Sequence, residues 1–397
     1  MNLRFPLILT VLCLLGVSVG AQTVLTPVAP AEVQTSLPVL VEHSTPELNH
    51  IRELFVQGLY LQLIERTTDA LDKGKTEALA KNEVDKPDPE LLYWRGFARR
   101  RCGLFKDALA DLQSLGNMTG YANFVTAAQL TTEIGLLLEQ RPPNEYDIRN
   151  DSKVIFRVYY NEDDEFLRTV LDALPKGYTA ASSFIGLQAD EIPIFVFNSA
   201  HYSQFVKFFT TLSDGPLQGW WRIGNRNGTI TISQNNLLES PLPSNYPDMA
   251  RLMSHEMTHL LIYRIVGDLK DFPTWFNEGT ARCGEGVYEP EFYIQNDRKI
   301  RQLLAQNAIL SLNQIVSPSG FYYSVDQMKK GTQPCDAYAQ GFSMTRYLGV
   351  LLKGEKLRYF LNDIQEKGFE AVLKTGTGMT SDEFYQSWLD EINDANR

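Results

Sequence analysis

The stretch "SHEMTHLLIY" (254–263) sets two histidines four positions apart, with a glutamate directly after the first, in a chain of 397 residues that holds five histidines in all. On a helix, side chains at i and i+4 stand one turn apart on the same face. His255 and His259 can therefore both reach one tetrahedral metal ion. Glu256 lies about 100° around the helix from His255, where it leans over an open metal position instead of binding the metal. Ser244 or Asn245 can cap the helix start, Pro247 suits its first turn and Gly267 suits a left-handed stop, which predicts a helix of about twenty residues.

A catalytic site of this kind needs a third protein ligand. The remaining histidines, His43, His50 and His201, all precede the pair, so no downstream histidine can supply it. The segment "DFPTWFNEGTARCGEG" (271–286) offers a carboxylate instead: Pro273 starts a second helix, and Glu278 comes nineteen positions after His259. Two helices joined by a short turn can carry that carboxylate across to the imidazoles.

Upstream, "SKVIFRVYY" (152–160) and "EIPIFVFN" (191–198) are β-branched and aromatic runs bounded by polar residues, and "GTITISQ" (228–234) alternates as a strand does. An amphipathic segment at about 163–184 separates the first two. A mixed sheet with helices packed on it follows, and from about 287 to the end the pattern is helical again. Residues 46–140 are helical at three- and four-residue apolar spacing, broken near "DKGK", "DKPDPE" and "QRPPNEYD". The fold class is α+β, with an all-helical region in front of the sheet.

Hydrophobic residues make up 44% and charged residues 21% of the chain, an ordinary balance with material for a sizeable core. A net charge of -11 and a pI near 5.1 argue against nucleic-acid and anionic-membrane partners, which require clustered Lys and Arg; "RRRC" (99–102) is too short to change that. The first 21 residues carry Arg4, an apolar run from Phe5 to about Val19 and the small pair Gly20-Ala21, the order of a signal peptide cleaved after Ala21. A secreted or periplasmic protein without stable membrane insertion is expected, with a Pro- and Thr-rich linker at 22–45.

Two resemblances sharpen these expectations. "LLYWRGFARRRCGLFKDALADLQSL" (91–115) resembles a tetratricopeptide (TPR) unit: Gly96 takes the small crossing position, Gly103 the turn, and Phe105, Ala108 and Leu112 the family's apolar places. That makes 46–145 a TPR-like helical domain with a surface for a protein partner. "HEMTH", eighteen intervening residues and then Glu in "PTWFNEGTA" resemble the gluzincin zinc metallopeptidases of the peptidase MA-like group. The likeness implies a thermolysin-like catalytic domain at 150–286, a helical carboxy-terminal subdomain at 287–397 and a peptide or protein substrate. It further implies Zn2+ on His255, His259 and Glu278, with Glu256 as general base.

The same likeness points to a tyrosine as oxyanion donor: Tyr338 in "DAYAQGFSMTRYL", with Tyr322 and Tyr323 as competitors. It also makes "NGTITISQ" (227–234) the edge strand that pairs with an extended substrate. Thermolysin-like enzymes carry a histidine-orienting aspartate four residues after the third ligand, and here that place is Arg282; Glu285 or Asp336 can take the task. The alternative is a weak or inactive protein of the same fold acting as an interaction or chaperone module, which has no need of Glu256. Cys102, Cys283 and Cys335 remain once Cys13 leaves with the signal peptide, and a Cys283–Cys335 disulfide is expected near the site.

Overall fold

A five-stranded mixed sheet stands between two layers of helices in the computed structural model. The structure describes residues 45–394 apart from 57–58, 83, 85, 103, 116–123, 150–153, 189–190, 199–200, 202–220, 224–229, 234–248, 267–271 and 353–356. The expected signal peptide, the linker up to residue 44, and the cap and stop positions 244–247 and 267 lie outside the described residues. Every described residue belongs to one unit, Val33–Arg397.

The amino-terminal layer comprises α1 (Pro46–Val56), α2 (Tyr60–Ala80), α3 (Pro89–Arg101), α4 (Phe105–Ser114) and α5 (Phe124–Gln140). Asp88 starts α3 by accepting from the Glu90 amide at 2.8 Å, with Pro89 in the first turn, where its missing amide costs nothing. Next come β1 (Asn144–Arg149), β2 (Ile155–Tyr160), α6 (Glu165–Ile185), β3 (Glu191–Phe197), β4 (Trp221–Ile223) and β5 (Ile230–Ser233). Asp164 caps α6 through the Leu167 amide at 2.8 Å. Gly186 ends it at φ 74, a left-handed conformation that favours glycine.

The strand order is β1-β2-β3-β5-β4. β2, β3 and β5 run parallel, while β1 and β4 pair antiparallel at the two ends. This corrects one expectation. β5 is an inner strand, because the three-residue β4 hydrogen-bonds its outer side, so the edges among the described strands are β1 and β4.

Alternation along the strands divides the core. Phe156, Val158, Ile192, Ile194 and Val196 pack with α6 and the carboxy-terminal helices. Tyr159, Phe195 and Phe197 face the other way and join the core of the amino-terminal layer. That layer is thus the cover of one sheet face, and it shares its core with the sheet.

The remaining helices are α7 (Met249–Val266), α8 (Thr274–Tyr288), α9 (Glu291–Ala305), α10 (Leu312–Ile315), α11 (Pro318–Lys329), α12 (Ala337–Leu351), α13 (Leu357–Lys367), α14 (Phe369–Thr377) and α15 (Ser381–Asp394). The amino-terminal layer touches the last turn of α7. The Tyr60 hydroxyl donates to the Arg264 carbonyl, and the buried Arg100 donates to the Tyr263 hydroxyl at 3.2 Å.

The expected disulfide is not formed: Cys283 and Cys335 are both buried thiols outside any disulfide. Cys283 comes five positions after Glu278, about 140° around α8, and packs between Phe292 and Phe342, where burial pushes its thiol up to about 12. The Cys335 thiol turns instead to the Ser324 carbonyl at 3.4 Å.

Candidate metal centre

Helices α7 and α8 meet closely because the contact lacks side-chain bulk. A Cβ on Gly284 would collide with the Thr258 hydroxyl, and one on Gly279 with the Gly341 carbonyl of α12. The Ser254 hydroxyl donates to the Gly284 carbonyl at 2.8 Å. Held between α7 and α12, α8 turns Glu278 toward the two histidines.

The His255 and His259 Nε2 atoms lie 3.1 Å apart, and each is 3.4 Å from Glu278 Oε2. Ligands about 2.0–2.1 Å from a tetrahedral metal stand about 3.3 Å from one another, so the set matches that coordination. Among the described residues it is the group of histidine, cysteine and carboxylate side chains that could hold a metal ion.

Each ligand has an outer partner of suitable chemistry. His255 Nδ1 lies 2.8 Å from Glu285 Oε1, and His259 Nδ1 lies 3.0 Å from Asn277 Oδ1. An acceptor at Nδ1 keeps the proton there and leaves the Nε2 lone pair for the metal. Glu278 uses Oε2 toward the imidazoles, while its Oε1 accepts from the Tyr322 hydroxyl at 2.6 Å.

Glu285 therefore does the orienting work for which Glu285 and Asp336 were alternatives. Asp336 instead caps α12 through the Ala339 amide at 3.0 Å. Arg282, at the place where thermolysin-like enzymes have their aspartate, supports the arrangement: it donates to both Glu285 oxygens at 3.0 Å, and Arg251 approaches Oε2 at 3.4 Å.

The electrostatics favour a cation at the centre. Burial opposes a charged His255 ring, yet Glu278 and Glu285 outweigh it and hold the imidazole at about 10. Burial also opposes ionised Glu278, which His259 and His255 keep well below the usual carboxylate range. Glu285 is likewise lowered against burial, chiefly by Arg282. Surroundings that favour a proton on His255 have the sign that also favours a metal cation there. Glu256 is buried beside the three ligands, and burial pushes its carboxyl up to about 7 against the pull of His255 and His259.

The three tyrosines separate clearly. Tyr322 touches a ligand. The Tyr338 ring meets Phe321 edge-on at 5.1 Å and lies under the Arg282 guanidinium at 5.0 Å. Tyr323 is 62% exposed. Sequence reasoning missed Asn277 as a partner of His259; its position next to Glu278 was the available signal.

No family model matches the chain, and no curated protein matches it either. The functional reading therefore rests on ligand geometry. No described helix is long and apolar enough to cross a membrane.

Proposed function

We propose that the chain is a zinc-dependent peptidase of the gluzincin, peptidase MA-like type, acting outside the cytoplasm on peptides or unfolded protein. The observation that carries this reading is a buried carboxyl at Glu256 beside His255, His259 and Glu278, whose ligand atoms converge within 3.4 Å. A bare structural site would work with any residue at that position. Two imidazoles and one carboxylate would suit zinc better than magnesium or calcium, which prefer oxygen shells.

Zinc supplies Lewis acidity, polarising a carbonyl and acidifying water. Glu256 takes the proton from the attacking water and returns it to the leaving amine. Tyr338 is the proposed donor to the oxyanion. The amino-terminal helices, with the TPR resemblance at 91–115, are the proposed site for a protein partner.

The test combines metal analysis with hydrolysis of an unstructured protein. One zinc per chain is expected. Glu256→Gln should keep the metal while turnover falls on the order of 100-fold or more. Failure to take up zinc, or a Glu256→Gln protein within a few-fold of wild type, refutes the assignment.

A further inference from the structure

The three ligand side chains are each held by one neighbour, and the third neighbour differs from the other two. Asn277 and Glu285 lie on α8 with Glu278 itself, so they come with the helix that carries the ligand. Tyr322 comes from α11, 44 positions further along the chain. Its hydroxyl sits 2.6 Å from Glu278 Oε1, while Oε2 is the oxygen 3.4 Å from both imidazoles.

A carboxylate can bind a metal through one oxygen or through both. Chelation through both oxygens would occupy the position that an incoming water or substrate carbonyl needs. A neutral donor at one oxygen decides between these modes, because it draws charge toward that atom and holds it away from the ligand side. The fixation is firm at this point. Phe321, fully buried beside Tyr322, anchors α11 in the main core, and the two rings meet edge-on at 5.5 Å.

We infer that Tyr322 is a positioning residue that keeps Glu278 bound through a single oxygen and so holds the fourth coordination position of the metal open. This rests on the metal-centre reading above and adds a division of labour between the tyrosines. Tyr322 acts on a ligand, whereas Tyr338 acts on the substrate oxyanion.

The experiment compares wild type, Tyr322→Phe and Tyr338→Phe, each reloaded with cobalt(II), by visible absorption and by competition with a chelator; neither readout needs turnover. Tyr322→Phe removes one oxygen atom and leaves the ring in its packing. It should still bind one metal per chain, with affinity lowered roughly tenfold and cobalt bands weakened as the second carboxylate oxygen joins the shell. Tyr338→Phe should leave the cobalt spectrum unchanged while lowering kcat. A Tyr322→Phe spectrum and affinity that superimpose on wild type overturn the inference alone, as does an equal spectral change in Tyr338→Phe. A wild-type protein that binds neither cobalt nor zinc overturns the metal-centre reading with it.

Discussion

In the amino-terminal layer, Asp111 accepts from Arg95 at 2.7 and 3.0 Å and from Arg99 at 2.6 Å. Around α7 and α8, two imidazole nitrogens and a carboxylate oxygen instead face one another within 3.4 Å. Both clusters are buried and ionisable, yet only the first pairs every acceptor with a donor inside the protein. The second turns its Nδ1 atoms outward, to Glu285 and Asn277, and its Nε2 atoms and Glu278 Oε2 inward. That direction separates a ligand set from a structural ion pair better than burial or charge count does.

The contrast predicts a double dissociation. His259→Ala removes an inward lone pair, so metal affinity should fall on the order of 1,000-fold, about 4 kcal/mol, with little change in the stability of the metal-free protein. Calorimetric titration and denaturant melts read the two effects separately. Asp111→Ala should do the reverse. It strands Arg95 and Arg99, both less than one-fifth exposed, and should lower stability by about 3 kcal/mol with metal affinity within twofold of wild type. A variant that moved both quantities equally would break the comparison.

Glu285 belongs to both patterns, since it neutralises Arg282 and Arg251 and also orients His255. Glu285→Gln should therefore lose roughly tenfold in metal affinity, about 1.4 kcal/mol, and show a smaller stability loss than Asp111→Ala in the same melts.

The smallest effect concerns Glu191, buried at the seam beside Arg157 at 2.9 Å. Burial outweighs Arg157 and pushes its carboxyl up to about 7. A raised carboxyl contributes stability that is present below its unfolded value of about 4.3 and is lost as pH rises through 7. Wild type should lose roughly 1–2 kcal/mol relative to Glu191→Gln between pH 4.5 and 7.5, seen as denaturation midpoints that draw apart as pH rises. A constant difference across that range would assign the proton elsewhere.

The candidate ligand triad was legible because its key spacing is local: four residues on one helix fix the relation of His255 to His259 whatever the tertiary context. Its third member followed by elimination among five histidines. What depended on packing between distant helices was not legible. Three tyrosines satisfied the sequence argument, and only the docking of α11 brings Tyr322 to Glu278 Oε1. The cysteine pairing failed for the same reason, since Cys283 occupies the side of α8 turned toward Phe292 and Phe342. β5 became an inner strand through a three-residue partner too short to carry a sequence pattern. The α+β class itself was readable from the strand runs. In "EIPIFVFN", the apolar residues on both faces already required cover on both sides of β3.

That cover has a consequence for descent. Tyr159, Phe195 and Phe197 would each forfeit about 1.5–3 kcal/mol of burial if the amino-terminal helices were lost, and three aromatic rings on a naked sheet would invite self-association. A lineage could not shed those helices in one deletion and keep the same fold free of self-association. Polar replacements on odd-numbered strand positions would have to come first, and a shorter cousin of this protein should carry them at 159, 195 and 197.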